Sequence, residues 1–191
     1  FTTDNQWYEY LFLHEFGHAF AGLGDEYFSS PVAYEDFYTA GVEPLEPNIT
    51  ALLDPSNVKW KQYLSPGIKV PTEWDKATYD SLINRINELN LERDEALEKL
   101  RNSNVGDKVI STTTAEYQGK IDNTGRAAED FIANHPLKDK VGVFEGANYL
   151  SKGLYRPTIM SLMHRFEEDR LDYDIVNEQA IISTIEYYTG N

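Results

Sequence analysis

Leu11-Phe12-Leu13-His14-Glu15-Phe16-Gly17-His18-Ala19-Phe20-Ala21-Gly22-Leu23-Gly24-Asp25-Glu26-Tyr27 is the stretch on which the reading of this chain turns. Residues 6–21 carry Leu11, Leu13, Phe16 and Phe20 with no proline until Pro31, which predicts a helix. Gly22 and Gly24 mark its end. Within it, His14-Glu15-Phe16-Gly17-His18 is an H-E-x-x-H pattern. Residues four apart on a helix share a face, so both imidazoles can reach one tetrahedral metal ion. Glu15, beside that face, can take a proton from metal-bound water and return it to a leaving amine.

A catalytic zinc site needs a third protein ligand and an open position. Asp25 and Glu26 follow the glycines, where the chain can double back toward the ion. Asp25 is the expected ligand because it is the first carboxylate to arrive and its side chain is short. Glu26 is its rival, since a shift of one residue in an irregular turn reverses which side chain points inward. The expected metal set is His14, His18 and Asp25 on Zn²⁺, with Glu15 as catalytic base.

Outward from this helix, the chain is 191 residues long, 41% hydrophobic and 13% aromatic, enough for one globular domain with a sizeable core. Only 13 residues precede His14, and the sequence reads as a fragment of a longer precursor. There is no cysteine, which rules out disulfides and thiolate metal sites within it. A formal charge of −15 with no basic face excludes nucleic-acid binding. No apolar run reaches the roughly 20 residues of a bilayer span.

Residues 29–74 hold Pro31, Pro44, Pro47, Pro55, Pro66 and Pro71, predicting an irregular segment. Its Tyr34, Phe37, Tyr38, Trp60, Tyr63 and Trp74 read as packing anchors. From Asp75 to Arg101, Tyr79, Leu82, Ile83, Ile86, Leu89, Leu97 and Leu100 recur at threes and fours, an amphipathic helix. A weaker pattern in Tyr117, Ile121, Ala128, Phe131 and Ile132 ends at His135-Pro136. Together they predict an αα-hairpin inserted at about 75–136, with Val105–Thr114 a loop or a short strand. A last helix is expected from about Ile175 to Tyr188, capped by Asp174 and burying Val176, Ala180, Ile181 and Ile185.

The motif helix with Gly22-Leu23-Gly24-Asp25-Glu26-Tyr27 resembles the active-site signature of metzincin-like zinc peptidases, and within them the IgA-peptidase family of secreted bacterial enzymes. Glu145-Gly146-Ala147 and Gly153-Leu154-Tyr155-Arg156-Pro157 resemble that family's downstream block. In the metzincin pattern a glycine and a third ligand follow the second histidine at fixed spacing; here Gly22 and Asp25 each stand one place later. Ser161-Leu162-Met163-His164 resembles the methionine turn beneath the metal, with Met163 the matching methionine and Met160 the lesser choice. Arg165 stands where some metzincins carry a tyrosine that assists at the transition state, so that role is not carried over; Tyr27 and Tyr155 are the alternatives for holding the oxyanion.

The resemblance implies an α+β, α-rich zincin-like catalytic domain spanning 1–191, with its upstream sheet outside this sequence. It also implies a secreted or cell-surface bacterial endopeptidase acting on protein or peptide substrates, immunoglobulin A among those it suggests. The alternative is a catalytically silent, metal-containing module that grips a protein or glycan. A carboxylate-rich calcium module would account for the acidity but not for paired histidines.

Overall fold

The computed structural model describes residues 7–28, 38–39, 41–103, 105–164 and 171–190. Pro31, Tyr34, Phe37 and Arg165, named above, lie outside the described residues. Helix α1 runs Tyr8–Ala21. Gly22 ends it in the left-handed region at φ 64°, with the Gly22 amide on the His18 carbonyl and the Leu23 amide on the Gly17 carbonyl. These two bonds satisfy carbonyls that the last turn leaves open.

Helices α2 (Lys76–Asn102) and α3 (Asp107–Ala133) form the hairpin that the spacing predicts. They make a compact unit over 75–136, and residues 1–74 with 137–191 make another. In the hairpin Tyr79, Leu89, Leu97, Ala128 and Ile132 are buried. The expectation of a loop or strand over Val105–Thr114 is corrected, because α3 starts at Asp107. Val109, Ile110 and Thr112 to Thr114 are poor helix formers by propensity. Ile110 and Thr114, half-buried, share a face with Tyr117 and Ile121, and burial of that stripe outweighs the local preference.

In the other unit, β1 (Phe144–Ala147) and β2 (Leu150–Arg156) pair antiparallel, the only sheet among the described residues. The register shifts between Glu145 and Ala147, and Gly146 sits in the shift at φ 104°. A side chain there would meet the Phe28 ring at 2.5 Å, so only glycine lets residue 28 lie against the hairpin. The fully buried Arg156 lies over the Phe28 and Trp74 rings and donates to the Gly146 and Ile159 carbonyls.

The segment 41–74 is irregular apart from one 3₁₀ turn at Lys61–Tyr63. It is tied to the hairpin by reciprocal Thr50 and Tyr155 backbone bonds. Trp60 anchors a core with Val58, Val143 and Val176, and donates its indole N–H to the Gly142 carbonyl at 2.7 Å. Helix α4 runs Ile175–Thr189 behind an Asp174 cap that accepts from the Val176 and Asn177 amides. Val176 is buried, Ala180 and Ile181 are half-buried, and Ile185 is exposed, which corrects its expected burial. The first turn of α4 is the one that carries the fully buried Asn177. Among the described residues no helix is long and apolar enough to cross a membrane.

Candidate metal centre

Helix α1 sets His14 and His18 one turn apart, with ring centroids 4.7 Å from each other and planes nearly perpendicular. The side of α1 that carries them is pressed onto a core of Leu23, Leu162 and Met163, joined by Tyr10, Leu13, Tyr173 and Ala180. Gly17, between the two histidines, is buried, and a Cβ on it would meet the Met163 sulfur at 2.9 Å. The Ser161–His164 turn therefore lies directly beneath the ligand-bearing turn of α1.

Both imidazoles are oriented from behind. His14 Nδ1 lies 3.2 Å from the Leu162 carbonyl and His18 Nδ1 2.6 Å from the Leu23 carbonyl. A carbonyl oxygen only accepts, so each Nδ1 carries the proton and donates it. In the neutral rings each Nε2 is then a bare lone pair. These two Nε2 atoms are 3.1 Å apart, and Asp25 Oδ1 lies 3.1 Å from one and 3.2 Å from the other. Three acceptors thus converge on one point, an arrangement that a cation relieves.

The dimensions also fit an ion. Ligand atoms about 2.0–2.1 Å from a tetrahedral Zn²⁺ stand roughly 3.3 Å from one another, close to the edges of this triangle. His14, His18 and Asp25 are the one group among the described residues that could hold a metal. The carbonyl bonds at Nδ1 are the kind of outer contact that fixes a ligating ring. Burial works against ionisation of Asp25, but the imidazoles beside Oδ1 and the Tyr149 hydroxyl donating to Oδ2 hold its carboxyl well below the usual range. A proton taken up on His18 Nε2 would relieve the same convergence: its bond to Asp25 raises the His18 pKa above the ordinary value, although burial pulls the other way.

Glu26 turns away from this point. It is fully buried, with Oε1 accepting from Asn48 Nδ2 and Asn177 Nδ2, both at 2.9 Å, and Oε2 accepting from Ser161 Oγ at 2.6 Å. Its amide donates to the Met163 carbonyl at 2.9 Å. Asn48 also brackets Gly24, accepting from its amide and donating to its carbonyl. Burial, and then the nearby Asp174 charge, push the Glu26 carboxyl above its ordinary value.

Glu15, the expected base, is exposed on α1 next to the ligand face. Met163 is fully buried in the turn under the site. Tyr27 lies with its ring nearly parallel to His14, centroids 6.5 Å apart. Tyr155 is not brought there: it packs with the Trp60 core. Asn48, Tyr149 and Asn177 carry no motif in the sequence, and Ser161 is marked there only as part of the methionine turn. Tyr149 Oη donates to Asp25 Oδ2 at 2.6 Å. Its one sequence signal is its place between the two halves of the downstream block.

The IgA peptidase M64 family model matches residues 1–185. The chain belongs to the IgA peptidase M64 family. The match takes in the motif helix, the carboxylate turn, the β1–β2 hairpin and most of α4, so the elements around the metal triangle all lie within the family's span. It makes the chain a peptidase, hydrolysing peptide bonds of protein substrates. No curated protein matches the chain.

Proposed function

We propose that this chain is a zinc-dependent endopeptidase of the metzincin kind, forming one catalytic domain over 1–191 with the 75–136 hairpin as an insertion. The observation that carries the reading is the convergence of two imidazole Nε2 atoms and a carboxylate oxygen at 3.1–3.2 Å. His14, His18 and Asp25 would hold the ion. Bound there, Zn²⁺ supplies Lewis acidity, lowering the pKa of its water and polarising a carbonyl.

The chain's own residues supply the rest. Glu15 follows His14 on α1 and is open to solvent, so its carboxylate can receive the water's proton and pass it to the leaving amine. Tyr27, half-buried against His14, holds its hydroxyl proton, because burial and then its bond to Tyr149 raise its pKa. It is thus a neutral phenol beside His14, its one proton shared with the Tyr149 hydroxyl. Met163 floors the ligand turn. The family's name supports immunoglobulin A or similar proteins as substrates, and the family resemblance of the motif helix and downstream block supports a secreted bacterial setting.

The test is Glu15→Gln. The variant should bind zinc as the parent does and lose nearly all hydrolysis of a protein substrate, because an amide cannot take up the proton. Parent activity should vanish on chelation and return with zinc. A parent that binds zinc and cleaves neither immunoglobulin A nor a generic unfolded protein would favour the silent binding module instead.

A further inference from the structure

The β1–β2 connection turns through Asn148 and Tyr149, at φ 50° and 69°. With Ala147 paired to Leu150, these two left-handed residues form a two-residue hairpin loop of the kind that strongly favours asparagine followed by glycine. Asparagine is in its usual place. Tyrosine stands where glycine is preferred, and a bulky residue held in this conformation is strained. Such strain persists where the surroundings over-determine it, so the question is what the side chain contributes.

The Tyr149 hydroxyl donates to Asp25 Oδ2 at 2.6 Å, and the Tyr27 hydroxyl lies 2.8 Å from it. Because Tyr149's one proton is committed to Asp25, Tyr27 donates to Tyr149. The two rings meet edge to face with centroids 5.0 Å apart. The backbone is clamped as well, the Asn148 amide to the Asp25 carbonyl at 2.8 Å and the Tyr149 amide to the Tyr27 carbonyl at 2.9 Å. The hairpin tip thus grips residues 25 and 27 through main chain and side chain together. Asp25 is left with Oδ1 toward the imidazoles and Oδ2 taken.

We infer that Tyr149 is a positioning residue that makes Asp25 a one-oxygen metal ligand, holding Oδ2 off the ion so that the coordination sphere keeps room for water. Tyr27 fixes the direction of the phenol. The strained turn is retained because glycine there would leave Oδ2 free to swing onto the metal. This inference rests on the zinc-site reading, and the experiment separates the two.

Zinc affinity of the whole chain is measured by competition with a chromophoric chelator for the parent, Tyr149→Phe and Tyr149→Gly. The same proteins are loaded with Co²⁺ for visible spectra, and their metal-free forms are unfolded in urea. Tyr149→Phe should weaken zinc binding about 10–100-fold, the usual range for a lost outer contact, with its urea midpoint unchanged. Tyr149→Gly should bind zinc as weakly while its midpoint is equal or higher, because it creates the preferred turn sequence. In both variants the cobalt absorption should weaken as a second carboxylate oxygen raises the coordination number. A parent that binds no zinc overturns both readings. A Tyr149→Phe chain that binds zinc within twofold of the parent, or loses affinity without a change in the cobalt spectrum, overturns the positioning role and leaves the site standing. An affinity loss that tracks a falling urea midpoint in both variants reduces Tyr149 to a structural residue and likewise overturns it.

Discussion

Replacing Glu26 by alanine should bring the unit that carries the site close to unfolding, whereas replacing it by glutamine should cost much less. The carboxylate is fully buried and satisfies three donors, on Asn48, Asn177 and Ser161. A buried donor left without a partner costs about 1–3 kcal/mol. Two of the three keep a second acceptor: Asn48 Nδ2 on the Gly24 carbonyl at 2.9 Å and Asn177 Nδ2 on Asp174 Oδ2 at 2.8 Å. The total for Glu26→Ala is therefore on the order of 3–5 kcal/mol, against a typical stability of about 5–15 kcal/mol. In Glu26→Gln the amide oxygen can still accept from both asparagines, and its NH₂ can donate to Ser161 Oγ, which has a lone pair to spare. The Ser161 hydroxyl proton loses its acceptor, so that variant should cost about 1–3 kcal/mol, less than the alanine change, and stay within a few-fold of the parent in zinc affinity.

Tryptophan fluorescence in urea is the assay, because Trp7, Trp60 and Trp74 all lie outside the 75–136 hairpin and report only the other unit. At roughly 2–4 °C per kcal/mol, the alanine variant should also melt about 6–20 °C lower. A Glu26→Ala chain as stable as the parent would refute the argument. So would a Glu26→Gln chain that folds but no longer binds zinc, since Glu26 would then be a ligand.

Asp25→Ala should weaken zinc binding well beyond the roughly 100-fold of an outer contact; isothermal titration on the folded variant decides it, and a loss within the outer-contact range would take Asp25 out of the ligand set. Replacing 75–136 by a short glycine-serine linker should preserve one zinc per chain by elemental analysis, because the hairpin is compact by itself; loss of zinc from a folded remainder would show that the hairpin belongs to the site. Lys59→Met should lower the thermal midpoint by several degrees, since the ammonium donates to the Pro44, Glu46 and Ile49 carbonyls, which would be left without that partner. An unchanged midpoint would mean that this loop holds its shape without the lysine.

Periodic features were legible in the sequence because their geometry is local. The four-residue spacing of His14 and His18 becomes one helix face at any place in any fold, Gly22 ends α1 by its own conformational freedom, and the threes and fours of the hairpin declare a buried stripe. Where local preference and packing disagree, the sequence misleads. The β-branched run before Thr114 looks extended but is helical, and Ile185 looks buried but lies beyond the turn at which α4 is covered. The choice between Asp25 and Glu26 belongs wholly to tertiary structure. They are adjacent in an extended stretch, so one must face away from the other, and nothing in their order says which. The decision comes from the Met163 carbonyl, Asn48 and Asn177, which capture Glu26, and from Tyr149, which holds Asp25 from 124 residues away. Partners that distant meet only when the chain is folded, because their contacts depend on packing rather than on any repeat along the sequence.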